Sequence, residues 1–211
     1  RIADLRRRLV GAAADADADA DAVVVVAGST HAPEEAALLR ALAPRLDADP
    51  HLRLVLVPRH PQRAPALARR WARAGLPLVR ASAVQEGARP RRILWDRMGD
   101  LFALYGAADA AFVGGSLIPR GGHNPVEAAW HGTPVVVGPH ERNFEAVNAR
   151  LAEAGGLVRC PDAAAVAAQL GAWADDAAAR RRAGAAGRAA VRANAGTLAA
   201  TAAAIAAVVQ S

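Results

Sequence analysis

Five short apolar runs, at residues 23–26, 52–57, 93–95, 110–113 and 134–137, punctuate this chain, and helical patterns at 34–46, 62–74, 99–107 and 125–131 fill the intervals. Strands that read as unbroken apolar runs are buried on both faces. Their alternation with helices is the pattern of an α/β domain, a parallel sheet covered by helices on both sides. Residues 76–79 offer one further strand, and residues 2–10 read as a short helix with arginines on one side. In such sheets ligands sit beyond the carboxyl ends of the strands. The pairs Gly28-Ser29, Pro58-Arg59, Met98-Gly99, Gly114-Gly115 and Gly138-Pro139 all lie just after strands or in the loops leading from them, so the sheet gathers them at one edge.

Residues 112–127, FVGGSLIPRGGHNPVE, compress an apolar strand, two glycine pairs and a helix start into one stretch. Gly114-Gly115 and Gly121-Gly122 allow close backbone approach and positive φ without a Cβ penalty. The N–H groups at the start of the next helix, near Asn124 and Pro125, together with the helix dipole favour a phosphate. Asn124 suits the cap, Pro125 the first helical position, and Glu127 the third. A carboxylate beside a phosphate site suits the diol of a ribose. A plain connecting turn explains glycines alone, but not Ser116, Arg120, His123, Asn124 and Glu127 in one loop. The stretch is neither the dinucleotide fingerprint nor a P-loop, since the chain contains no lysine to follow the glycines.

Other positions invite specific readings. Arg59, at a strand end between two prolines, suits a base or phosphate contact. His123 suits a phosphate contact. Asp100 reads as a helix-start acid. Ser29 and Thr30 suit caps for the helix that follows, with Ser29 or its loop near a ligand. Glu34 and Glu35, adjacent on a helix, diverge and so do not share a metal with His31.

These blocks resemble the 3-deoxy-D-manno-octulosonic acid (Kdo) transferases. The glycine stretch is similar to the family's pattern GGS-L-x-P-x-GGHN-x-LEP, with Ala128 in place of the proline. Residues 28–35, GSTHAPEE, resemble its ST-H-x-GEE segment, with Pro33 in place of a glycine. Residues 56–61 resemble L-V-PRHP, residues 96–101 resemble D-T-MGEL with Asp100 for glutamate, and GTPV at 132–135 and GPH at 138–140 complete an ordered series over about residues 23 to 160. The resemblance implies the C-terminal, Rossmann-like half of a GT-B glycosyltransferase that transfers Kdo from CMP-Kdo to a lipid A precursor, with no metal or other cofactor. It implies that the catalytic base is a glutamate of an N-terminal domain, so no catalytic residue is expected here. It places donor contacts on Pro58, Arg59, Met98, Gly99, Asp100, Gly115, Ser116, Gly122, His123, Asn124, Pro125, Val126 and Glu127, with Ser29 and His31 as further donor contacts. Met98 and Gly99 are expected to meet the base through the backbone. The same layout fits another GT-B enzyme, such as a UDP-sugar transferase or epimerase, or a non-catalytic nucleotide-binding module.

Composition constrains partners and organisation. Met98 is the only methionine, so the 211 residues read as a piece of a longer protein: a lead-in from a preceding domain at 1–22, a nucleotide-sugar-binding domain at 23–160 and packed helices at 161–211. Two or three helices are expected from residue 163 onward, interrupted at Gly184, Gly187 and Gly196. The Asp–Ala alternation of residues 14–22 reads as a solvated loop rather than a strand. Aromatic content is 4%, which leaves packing to Val, Leu and the four tryptophans. The net charge of +6 comes from scattered arginines without stacking aromatics, the opposite of a nucleic-acid platform. One cysteine, Cys160, precludes an internal disulfide and suits a reducing compartment. No apolar run reaches the roughly 18–20 residues of a membrane span. The expected location is the cytoplasmic face of the bacterial inner membrane, with this domain soluble and any membrane contact made by the preceding part.

Overall fold

The structure, a computed structural model, describes residues 1–10, 21–85 and 88–209, with side chains through residue 193. Strands β1 (Val23–Thr30), β2 (Leu52–Pro58), β3 (Val79–Arg80), β4 (Arg92–Leu94), β5 (Ala110–Val113), β6 (Val135–Val137) and β7 (Leu157–Arg159) form one sheet in the order β3-β4-β2-β1-β5-β6-β7. Every pairing is parallel. The helices are α1 (Ile2–Val10), α2 (Ala32–Ala48), α3 (Ala64–Arg73), α4 (Leu101–Ala107), α5 (Val126–His131), α6 (Glu145–Glu153), α7 (Ala163–Asp175) and α8 (Ala177–Val209). The order runs outward from β1 on one side and from its neighbour β5 on the other. A crevice therefore opens beyond the carboxyl ends of β1 and β5, at the topological switch point.

The continuous apolar strands feed two cores, because successive side chains point to opposite faces. Val24 and Val26 of β1 join Val55, Ile93, Val113 and Val135 under α1, α4, α5 and α8, where Leu9, Leu104, Ala128 and Val191 meet them. Val25 and Ala27 join Leu54, Leu56, Leu94 and Phe112 under α2, α3 and α7, against Leu38, Trp71 and Leu170. The sheet thus has helices on both faces, a Rossmann-like fold.

Several expectations need correction. β1 runs on to Thr30, so Gly28 and Ser29 belong to the strand end rather than to the loop after it. The strand expected at 76–79 forms at Val79–Arg80. Helix α6 and strand β7 have no counterpart in the pattern reading. Only Asn148 and Leu151 of α6 are fully buried, and β7 offers three residues with Leu157 alone inside, so neither carries a readable period. Trp71, Trp95 and Trp173 are core residues, but Trp130 is 43% exposed. Beyond residue 163 there are two helices, and α8 passes through its glycines without a break. Gly184 and Gly187 instead permit contact. A Cβ on Gly184 would lie 1.9 Å from the Gly132 carbonyl oxygen, and one on Gly156 would lie 2.3 Å from the Gly187 Cα. Of the Asp–Ala segment, residues 14–20 lie outside the described residues.

Candidate functional site

The site starts where β1 ends. Ser29 has φ 55°, the one non-glycine residue with positive φ among the described residues, and it marks a register shift against β2 between Gly28 and Thr30. Such left-handed positions cost a side-chain-bearing residue free energy and collect at functional sites. This geometry overturns the capping roles expected of Ser29 and Thr30. His31 is the N-cap of α2, and buried Thr30 donates its hydroxyl to Glu35 Oε1 at 3.3 Å. Glu34 completes the helix start by accepting the His31 N–H at 2.9 Å.

Glu34 also crosses to the glycine loop. Its Oε1 accepts the Gly115 N–H at 2.7 Å and its Oε2 accepts the Leu117 N–H at 3.4 Å. Burial raises its pKa, against the downward pull of those three N–H groups. Glu35, as expected, diverges: it takes both ends of the Arg63 guanidinium at 3.2 and 2.9 Å. Each member of the Glu34-Glu35 pair thus ties the start of α2 to a different loop. Gly114 allows the approach, since a Cβ there would stand 2.6 Å from the Ser29 carbonyl oxygen and 2.8 Å from Glu34 Oε1.

The glycine loop is closed on itself. Gly115, Gly121 and Gly122 all have positive φ, and the Gly122 N–H donates to the Gly115 carbonyl at 2.9 Å. The Ser116 hydroxyl donates to the Val113 carbonyl at 2.6 Å and accepts the Gly138 N–H at 2.8 Å, so it braces two strand ends and leaves only backbone toward a ligand. The helix start sits one residue later than expected. Pro125 is the N-cap of α5, Glu127 is its second residue, and Asn124 Oδ1 accepts the Val126 N–H at 3.0 Å. The Ala129 N–H bonds back to the Pro125 carbonyl at 3.1 Å, so Glu127 and Ala128 N–H groups lie in the open first turn. Partial burial raises the pKa of Glu127.

Beside this loop a cleft of about 150 Å³ is lined by Ser29, Val57, Pro58, Arg59, Pro61, Arg97, Met98, Gly99 and Leu101. Five residues singled out from sequence meet there: Ser29, Pro58, Arg59, Met98 and Gly99. Met98 is 74% exposed, so it is no core residue, and Met98-Gly99 form the turn before α4 rather than its opening. Gly99 supplies φ 80° for that turn. Asp100 turns out to be the N-cap of α4, with its carboxylate bonded to Trp95 Nε1 and Arg1.

Between cleft and loop lie two histidines. His31 Nε2 and His123 Nε2 are 3.0 Å apart with rings 10° from parallel, and His60 meets His31 edge-on at 6.3 Å. Burial and the neighbouring His123, Arg120, His60 and Arg63 push the His31 pKa down to about 4. Burial and Arg59 lower that of His123. The mouth of the site is therefore electropositive, with neutral imidazoles as adaptable donors or acceptors.

Sequence reasoning missed the loop-bracing role of Glu34, Arg97 in the cleft and a second, larger hollow. That hollow, about 380 Å³, lies on the far side of the loop among Pro119, Gly121, Pro139, His140, Glu141, Arg142 and Glu145. Its Glu141 is committed to Asn148 and Arg159 at 2.7 and 2.6 Å. Cys160 is buried with a raised pKa and packs as a small apolar group. Among the described residues no cluster of three or more His, Cys, Asp or Glu could hold a metal, and no helix is long and apolar enough to cross a membrane.

No family model matches the chain. Among curated proteins it is 38% identical over 134 residues to a 3-deoxy-D-manno-octulosonic acid transferase of Haemophilus influenzae, covering 63% of this chain and 31% of that protein. It is 39% identical over 145 residues to the Bordetella pertussis protein of that name, covering 66% and 34%. The chain thus spans about a third of the length of the curated relatives it matches. Among solved structures it is similar to the C-terminal CMP-Kdo binding domain of WaaA from Acinetobacter baumannii, with a TM-score of 0.79, 31% identity, and 90% and 95% of the two chains covered. The HepE protein of Anabaena, solved with UDP-glucose, shares the fold at 20% identity and a TM-score of 0.60, covering 90% of this chain and 47% of that one. With nearly the whole of the WaaA domain matched, the chain belongs to the Kdo transferase family, as a C-terminal domain of its GT-B fold.

Proposed function

We propose that this chain is the donor-binding domain of a Kdo transferase and that it holds the CMP moiety of CMP-Kdo at the β1/β5 switch point. The observation that carries the reading is the juxtaposition of a small cleft floored by Pro58, Arg59, Met98 and Gly99 with a braced glycine loop that ends at Glu127. The base fits the cleft, where backbone groups of Pro58, Met98, Gly99 and Asp100 meet its edge and Arg59 covers it. The ribose hydroxyls fall to Glu127, whose half-buried carboxylate follows the glycine loop in the first turn of α5. The phosphate falls to the open N–H groups of Glu127 and Ala128 in the first turn of α5 and to His123 and Asn124, while Gly115, Ser116, Gly122, Pro125 and Val126, whose own polar groups are already paired or absent, shape the loop around it. Ser29 and His31 face the bond to the sugar. Similarity to the CMP-Kdo binding domain of the Acinetobacter protein supports this choice of donor.

Chemically the domain stabilises a leaving group. CMP departs with charge growing on its phosphate, and fixed N–H dipoles, arginines and histidines lower the cost of that charge. No cofactor enters the step. The base that activates the acceptor, a lipid A precursor, belongs to an N-terminal domain, as does contact with the inner membrane at its cytoplasmic face. The organisation that follows is a lead-in at 1–22, the nucleotide domain at 23–160 and supporting helices at 161–211.

Calorimetric titration with CMP and UMP tests this. Backbone groups distinguish a 4-amino from a 4-oxo edge by hydrogen-bond polarity, and a mismatch leaves a buried group unpaired at about 1–3 kcal/mol. CMP is expected to bind roughly fivefold or more tightly than UMP. Preference for UMP would favour a UDP-sugar enzyme, and absence of binding to either would end the nucleotide reading.

A further inference from the structure

Two neutral imidazoles whose Nε2 atoms face each other at 3.0 Å can hold only one hydrogen between them. One ring donates and the other accepts, and the near-coplanar arrangement, 10° between ring planes, suits that bond. A second proton on this pair would put two donors nose to nose. The rings would then have to part, and an oxygen entering the gap would accept from both. The surroundings favour an anionic oxygen. Arg59, His60 and Arg63 face the pair from the segment after β2, Arg120 faces it from the glycine loop, and a Cβ on Gly115 would touch the His123 ring at 2.9 Å. The carboxylates nearby are already committed. Glu34 is held by the N–H groups of His31, Gly115 and Leu117, and Glu35 by Arg63 and Thr30.

We infer that His31 and His123 form a proton-loading clamp, in which the pair takes one proton from solvent as a phosphate oxygen of the bound nucleotide enters between the two Nε2 atoms. The inference rests on the nucleotide reading above and adds to it a defined proton stoichiometry. In the free protein the pair is a closed N–H···N bond with one shared hydrogen. In the bound state it is two N–H···O⁻ bonds, with the added proton on the nitrogen that had been the acceptor. No covalent bond forms or breaks. Free, burial first and then the crowd of neighbouring basic groups keep the second proton off, which lies behind the low pKa of His31. Bound, the phosphate charge cancels that crowd.

The test is proton-linked calorimetry with the methyl ester of CMP, a phosphodiester with no phosphate proton to exchange near neutral pH, in buffers of different ionisation enthalpy. The wild-type chain is expected to take up a fraction of a proton at pH 7 that rises toward one at pH 6, with affinity increasing by up to about tenfold per pH unit lowered. H31Q and H123Q, which keep a hydrogen-bonding amide but cannot titrate, should bind more weakly, without uptake and without that slope. Nitrogen-15 spectra of the wild-type histidines give a second readout: the Nε2 signal of the accepting ring should move to the protonated position when ligand is added, so that both Nε2 atoms then read as protonated. Binding without proton uptake, or uptake that persists in both variants, overturns the clamp and leaves the nucleotide site standing. Failure of the ester and of CMP to bind at any pH overturns both.

Discussion

Replacing Glu34 by alanine should cost the domain more stability than its single side chain suggests, because that carboxylate holds two segments far apart in sequence. Three N–H groups lose their acceptor: His31 at 2.9 Å, Gly115 at 2.7 Å and Leu117 at 3.4 Å. Hydrogen bonds to a charged group contribute about 1.5–3 kcal/mol each, so the two short ones together stand for roughly 3–6 kcal/mol. Part returns, since the carboxylate is 1% exposed and burial has already raised its pKa. The net loss is set at about 2–4 kcal/mol, or a melting temperature lower by about 5–15 °C for a chain of this size. Glu34→Gln keeps one oxygen for His31 and Gly115 but turns an amide donor toward the Leu117 N–H, and should cost about 1–2 kcal/mol. Urea unfolding followed by circular dichroism gives both values, and hydrogen exchange at the Gly115 amide reports whether the glycine loop loosens first. If alanine costs less than about 0.5 kcal/mol, or if Gly115 exchanges as slowly as before, the bracing role is wrong.

Three further outcomes follow from the same geometry. Gly184→Ala sets a Cβ 1.9 Å from the Gly132 carbonyl oxygen, backbone against which nothing can swing away, so urea unfolding should show a loss of about 1–3 kcal/mol despite the better helix propensity of alanine. His31 has a pKa of about 4 folded against 6.5 unfolded, so below pH 6.5 the unfolded chain binds the extra proton. Stability contributed by neutral His31 should therefore fall away between pH 6.5 and 4, and H31Q should flatten that part of the melting-temperature profile. Glu127→Gln should weaken CMP roughly tenfold while leaving 2′,3′-dideoxy-CMP unchanged, measured by calorimetry; equal losses for the two ligands would remove the ribose role.

The sheet was legible because its central strands are apolar on both faces. VVVV at 23–26 and LRLVLV at 52–57 have no other stable home than a covered parallel sheet. The grouping of Ser29, Pro58, Arg59, Met98 and Gly99 was legible for the same reason, since strand ends of a parallel sheet share an edge. What escaped were facts of tertiary contact. The partner of Glu34 lies 81 residues away at Gly115, and no periodicity records it. Gly184 and Gly187 look like helix breaks in sequence, yet they are contact points within α8, because a glycine's cost in a helix is small beside the packing it permits. The facing of His31 and His123 likewise depends on β1 running on to Thr30, where one left-handed residue aims the helix start at the glycine loop.

The central claim, that the nucleotide occupies the small cleft and the glycine loop rather than the larger hollow beside them, is tested most directly by mapping amide shifts as CMP is titrated into the nitrogen-15-labelled chain. Arg59, Met98, Gly99, Gly115, Gly122, Val126 and Glu127 should move together and saturate with one affinity. Shifts centred instead on His140, Glu141, Arg142 and Glu145, which line the 380 Å³ hollow, would contradict it.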